Sequence, residues 1–197
     1  MTIEQDLKEC FATALKEEQK GNKHKGLIAT KPSIEIAQGY IERAKESLKF
    51  CDLYNKMGAD YKIPEEWFYA LYYCALAILA KFGVESRSQR CTALFVEYIK
   101  GKELIEYDDE FIKRIFVHKE KDKESDVDER ERARYGSWIK SEKVREKYGS
   151  MMEICKEAIS QCEEIVFSNK EFKVPEELLE LWKNKMLVGI VGKPNEQ

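Results

Sequence analysis

The sequence predicts an all-α protein, an up-and-down bundle of four to five helices with short helical extensions at its N- and C-terminal ends. Three observations point there. The stretch Trp67 to Ala80, WFYALYYCALAILA, carries no charge in a chain that is 36% charged, so it belongs in a buried centre or a bilayer. At about 1.5 Å per residue it spans roughly 20 Å, too short for the roughly 20 apolar residues of a membrane-spanning helix. Proline and glycine are sparse, at 4 and 10 residues, and the charged fraction is dominated by Lys and Glu, a composition that favours helices. Long segments on either side repeat apolar residues at steps of three and four.

Taken in order, Ile3 to Lys20 reads as a short amphipathic helix with Leu7, Cys10, Phe11, Ala14 and Leu15 on one face. The segment GNKHKGLIATKPS interrupts it, and with Lys20, Lys23, His24, Lys25 and Lys31 it is locally basic. That suits either a solvated connector or a phosphate-contacting patch. Pro32 and Ser33 open a long helix that Gly58 stops after Met57. Its Ile34, Ala37, Ile41, Ala44, Leu48 and Cys51 form a seam for lengthwise packing. The expected partner is the Trp67–Ala80 helix, returning antiparallel after GADYKI. Pro64, Glu65 and Glu66 suit that helix's first turn, and Gly83 its end. Being apolar all round, it predicts neighbours all round.

VESRSQ reads as a turn, Cys91 to Lys100 as a helix closed by Gly101, and the region from Asp108 as another carrying Phe111, Ile112, Ile115 and Phe116. From Lys119 to Arg134 only Ser125, Val127 and Ala133 are uncharged, the mark of a solvated loop or exposed helix end. Ser141 caps a last long helix to about Ser168, with Val144, Tyr148, Met151, Cys155, Ala158, Cys162 and Ile165 as its buried stripe. Pro175 starts a tail helix with Leu178, Leu181, Trp182 and Met186 on its apolar face. The expected organisation is an N-terminal helix and basic connector over 1–31, a bundle over 32–168 and a helical tail over 169–197.

Net charge is −3 and the isoelectric point about 5.7, so no global field draws the chain to nucleic acid or an acidic membrane. Six cysteines show no CxxC spacing beside two histidines, which predicts reduced, buried thiols and no metal. The opening MTIEQDLKECF has no signal-peptide pattern, and a cytoplasmic location, no membrane contact and no cofactor are expected. GxGxxG, GxxxxGK[ST], HExxH and GxSxG are all absent. What remains is Arg130, Arg132, Arg134, Tyr135 and Trp138, where planar cations meet aromatic rings. Guanidinium groups hold phosphate bidentately and aromatic faces stack bases. The same arginines also suit ion pairs with the acids they alternate with.

With IAQGYIERAKESLKFCDLY, then EEWFYALYYCALAILAKFGVESRS, then CTALFVEYI, and RERARYG leading into a final long helix, the chain from about Ser33 to Phe167 resembles the HEPN (higher eukaryotes and prokaryotes nucleotide-binding) domains. The resemblance implies a helical bundle that pairs as a homodimer, in many members alongside a minimal nucleotidyltransferase in toxin–antitoxin systems. Catalytic members are metal-independent endoribonucleases with an arginine followed four to six residues later by histidine, two copies facing each other. Arg130 matches the arginine, but Tyr135 stands where histidine is expected. With an ordinary pKa of about 10, a tyrosine is a poor general base at neutral pH. A second spacing, Arg114 with His118, lies on the preceding helix. The resulting expectation is a non-catalytic protein that binds a nucleotide, RNA or a nucleotidyltransferase through Arg130 to Trp138. An endoribonuclease toxin using Arg130, Tyr135 or His118, and a protein-binding scaffold, are the alternatives.

Overall fold

The computed structural model describes residues 2–23, 25–116 and 141–179. Within them are six α-helices: α1 (Ile3–Gln19), α2 (Ile34–Met57), α3 (Ile63–Phe82), α4 (Gln89–Gly101), α5 (Asp109–Ile115) and α6 (Ser141–Phe167). Two three-residue strands, β1 (Leu27–Ala29) and β2 (Val84–Ser86), are the only sheet among the described residues. The fold is therefore predominantly all-α, as the apolar periodicity predicts.

Local chemistry sets the helix ends. Thr2 and Gln5 form a reciprocal capping box ahead of α1. The side chains of Ser33, Ser88 and Asp108 accept backbone N–H bonds at the starts of α2, α4 and α5. Pro64 occupies the first turn of α3, where its missing N–H costs nothing. Gly58 and Gly83 close α2 and α3 in the left-handed conformation, at φ 69° and 76°.

α3 is the centre. It packs against α2, α4, α5 and α6, and Trp67, Phe68, Leu71, Ile78, Leu79 and Phe82 are almost wholly buried. It is not enclosed all round, however. Tyr69, Tyr72 and Tyr73 are half-buried on one side, where each phenol keeps an apolar body in and a polar tip wet. The α2–α3 hairpin forms as expected, through Ala37, Ile41, Ala44 and Cys51. Ile34 departs from that seam: it is 52% exposed, although the start of α2 abuts the end of α3, where Ser33 N–H donates to the Ala80 carbonyl at 3.0 Å. α6 buries Val144, Met151, Cys155, Ala158, Cys162 and Ile165, the stripe its sequence predicts.

Two segments read as connector and turn instead pair as strands. Leu27, Ile28 and Ala29 lie opposite Ser86, Glu85 and Val84 in antiparallel register. Gly83 turns the chain leaving α3 back onto the connector, where its carbonyl accepts from Thr30 N–H at 2.8 Å. α1 packs across β1 and α4, its Leu7, Cys10 and Phe11 joining the same core as the bundle.

The cysteine expectation needs correction at one pair. Cys51, Cys74, Cys155 and Cys162 are free and buried, but Cys10 of α1 and Cys91 of α4 form a disulfide, with Cα atoms 6.0 Å apart. Each sits on its helix's apolar face, and docking α1 on α4 brings the two faces together. Beside it Arg90 bonds Asp6 at 2.8 Å.

Beyond α6 the chain crosses α3, with Phe172 against Phe82 at 4.6 Å between ring centroids, and reaches a 3-10 turn at Glu176–Leu178. Leu178 is buried there, and Tyr98 donates to Glu177 at 2.7 Å. Leu181, Trp182 and Met186 of the expected tail helix lie outside the described residues. Among those that are described, no helix is long and apolar enough to cross a membrane.

Candidate functional site

Arg130, Arg132, Arg134, Tyr135 and Trp138, together with His118, lie outside the described residues. Arg114, the other half of the second spacing, sits in the last turn of α5, where its Nε donates to Glu110 Oε1 at 3.1 Å. That is an ordinary i,i+4 helix pair.

The described surface that the Arg130–Trp138 stretch adjoins in sequence is the start of α6, which packs on the α2–α3 connection. Arg145, one turn in, donates from Nε to Asp60 Oδ2 at 2.7 Å. Asp60 is buried in the 3-10 turn Asp60–Lys62, whereas the Arg145 side chain is largely exposed. One turn further, Tyr148 donates its hydroxyl to Asp52 Oδ1 at 2.6 Å and tilts against Trp67, ring centroids 6.2 Å apart. Trp67 Nε1 and Asp60 Oδ1 are buried without a hydrogen-bond partner among the described residues. This rim thus presents a guanidinium anchored by one edge and a half-buried phenol, over a buried indole and a buried carboxylate.

The electrostatics favour holding a ligand over moving protons. Burial and the bond to Asp52 push the Tyr148 phenol well above its usual range, so it stays a hydrogen-bond donor at neutral pH. Burial likewise raises the Cys51 thiol behind it, with Cys155, Glu66 and Asp52 adding to the effect, and an un-ionised thiol is a poor nucleophile. No group of three or more His, Cys, Asp or Glu among the described residues is placed to hold a metal ion.

The basic connector resolves into separate parts. Lys20 pairs with Glu17 at 3.4 Å, and His24 lies outside the described residues. Lys31 lines a cleft of about 190 Å³ with Ser33, Ile36, Tyr40, Leu76 and Glu85. The Arg145–Asp60 and Tyr148–Asp52 pairs were not legible in sequence. Each joins residues far apart in the chain, and their only local signal was a lone acid in GADYKI and an aromatic on the α6 stripe.

No protein-family model matches the chain, and no curated protein matches it.

Proposed function

We propose that this is a HEPN-like helical protein without catalytic activity, working as a homodimer and binding a nucleotide or RNA, or a nucleotidyltransferase partner, through Arg130 to Trp138. One observation carries the reading. The string of arginines and aromatics runs in sequence straight into α6, and α6 begins on a rim that adds an exposed guanidinium, Arg145, and a half-buried phenol, Tyr148, backed by the buried Trp67 ring. Guanidinium groups beside aromatic faces suit phosphate and base together. Tyr135 in the expected histidine position argues against proton transfer. A cytoplasmic setting completes the proposal, and there the Cys10–Cys91 pair would be held reduced.

The test is binding of labelled single-stranded RNA and nucleotides by fluorescence anisotropy, with a cleavage assay run in chelator. Arg130→Ala is expected to weaken binding by about tenfold or more, the loss of a charge-assisted contact. Folding stability should change by less than about 0.5 kcal/mol, since the highly charged sequence around Arg130 predicts an exposed site. Metal-independent cleavage abolished by Arg130→Ala or His118→Ala would overturn the non-catalytic reading and establish an endoribonuclease. Absence of binding to RNA, nucleotide and nucleotidyltransferase alike would leave a scaffold.

A further inference from the structure

Helix α2 carries two seams, and only one is used among the described residues. Ala37, Ile41, Ala44 and Cys51 face α3 and are buried. A quarter-turn or more away run Ile36, Gly39, Arg43, Glu46, Phe50, Leu53 and Met57, spaced alternately by three and four, the repeat of a helix that packs lengthwise on another helix. The large apolar members lie open: Ile36 is 57% exposed, Phe50 40%, Leu53 47% and Met57 70%.

Gly39 makes the seam more specific. A mid-helix glycine costs helix stability, and a Cβ at this position would meet nothing within 4 Å, so no packing within the described protein calls for it. A bare backbone on an exposed seam is a hole waiting for a knob.

We infer that this seam pairs with the same seam of a second copy, antiparallel about a two-fold axis between Ala44 and Lys45. In that register three pairings fall together. Ile36 meets the partner's Leu53, Phe50 fills the gap at the partner's Gly39, and Arg43 meets the partner's Glu46; the two-fold repeats each one. Arg43 and Glu46 have no ion-pair partner among the described residues. The Arg43 guanidinium rests 5.9 Å from the centre of the Tyr73 ring, which holds it on the seam, and Tyr73 stacks with Tyr40 and Tyr69. A half-buried aromatic rail from α3 therefore flanks the contact. Parallel pairing fails on the same residues, because it sets Arg43 against Arg43 and Glu46 against Glu46 and leaves the two glycines facing across a void. An isologous interface must be self-complementary, and in charge, size and apolar matching this seam is so only in the antiparallel register.

The inference rests on the homodimer in the proposed function and adds its face and register. The full-length protein, Arg43→Glu, Glu46→Arg, the double reversal and Gly39→Leu would be compared by sedimentation equilibrium, with circular dichroism to monitor folding. The wild type is expected to be dimeric at about 100 µM, a concentration that populates even modest dimers. Each single reversal should weaken association by about tenfold or more, and the double reversal should recover it to within about threefold. Gly39→Leu should weaken association while raising the melting temperature of the monomer, since it fills the hole but improves helix propensity. A monomeric wild type would overturn both the pairing and this interface. A dimer indifferent to the reversals would overturn this face and leave the homodimer standing. Correctly folded single and double reversals that are all monomeric would overturn the antiparallel register.

Discussion

Reducing the Cys10–Cys91 disulfide should lower the unfolding free energy by about 4 kcal/mol. The bond closes a loop with a sequence separation of 81, and an unfolded chain freed from a loop of that size regains entropy worth about that much at 25 °C in the loop-closure view. Urea denaturation with and without reductant measures the difference, and Cys10→Ser/Cys91→Ser should reproduce the reduced value. Reduced protein should keep its native helix content, because Leu7, Phe11 and Ala14 stay buried and Arg90 still reaches Asp6. Thiol titration of the denatured, unreduced protein should detect Cys51, Cys74, Cys155 and Cys162 alone. Equal midpoints with and without reductant would show that the bond does not form.

Gly83→Ala should cost about 3 kcal/mol. Its φ of 76° carries a penalty of about 1–2 kcal/mol for any residue with a Cβ. That Cβ would also lie 2.6 Å from the Thr30 carbonyl oxygen and 2.9 Å from the ring of Pro32. Backbone and a rigid ring must both move, which adds about 1–3 kcal/mol. Gly58→Ala supplies the control. It has the same handedness, φ 69°, but open space around the new methyl, so it should cost only about 1 kcal/mol. Similar losses at the two sites would mean that the β1–β2 pair does not lean on the turn at Gly83.

Much of the fold was legible in the sequence because it is local. Ser33, Gly58, Pro64, Gly83 and Asp108 mark helix ends by their own backbone chemistry, whereas the Ser88 cap lay in a stretch that reads as a turn, and the α2–α3 hairpin follows from two apolar periods joined by a short loop. The strands were not legible: LIA and VES are too short to show alternation, and what pairs them is the turn at Gly83, a feature of the folded chain. The disulfide was hidden similarly. Nothing near Cys10 or Cys91 distinguishes them from Cys51 or Cys74, which also sit on apolar helical faces, and only the docking of α1 on α4 selects that pair. Ile34 misled because its spacing fits the seam while its side chain stays exposed at the first turn of α2. As for the candidate site, sequence gave the composition of Arg130 to Trp138, whereas the Arg145–Asp60 pair beside it required the tertiary contact between α6 and the α2–α3 turn.

The covalent link between Cys10 and Cys91 makes a ring of the chain, and both helices of the central hairpin lie inside it. A protease that cuts the exposed stretch between Glu18 and Lys23 would therefore release nothing: both fragments stay joined, the clipped protein migrates at full mass, and only a reducing agent separates them.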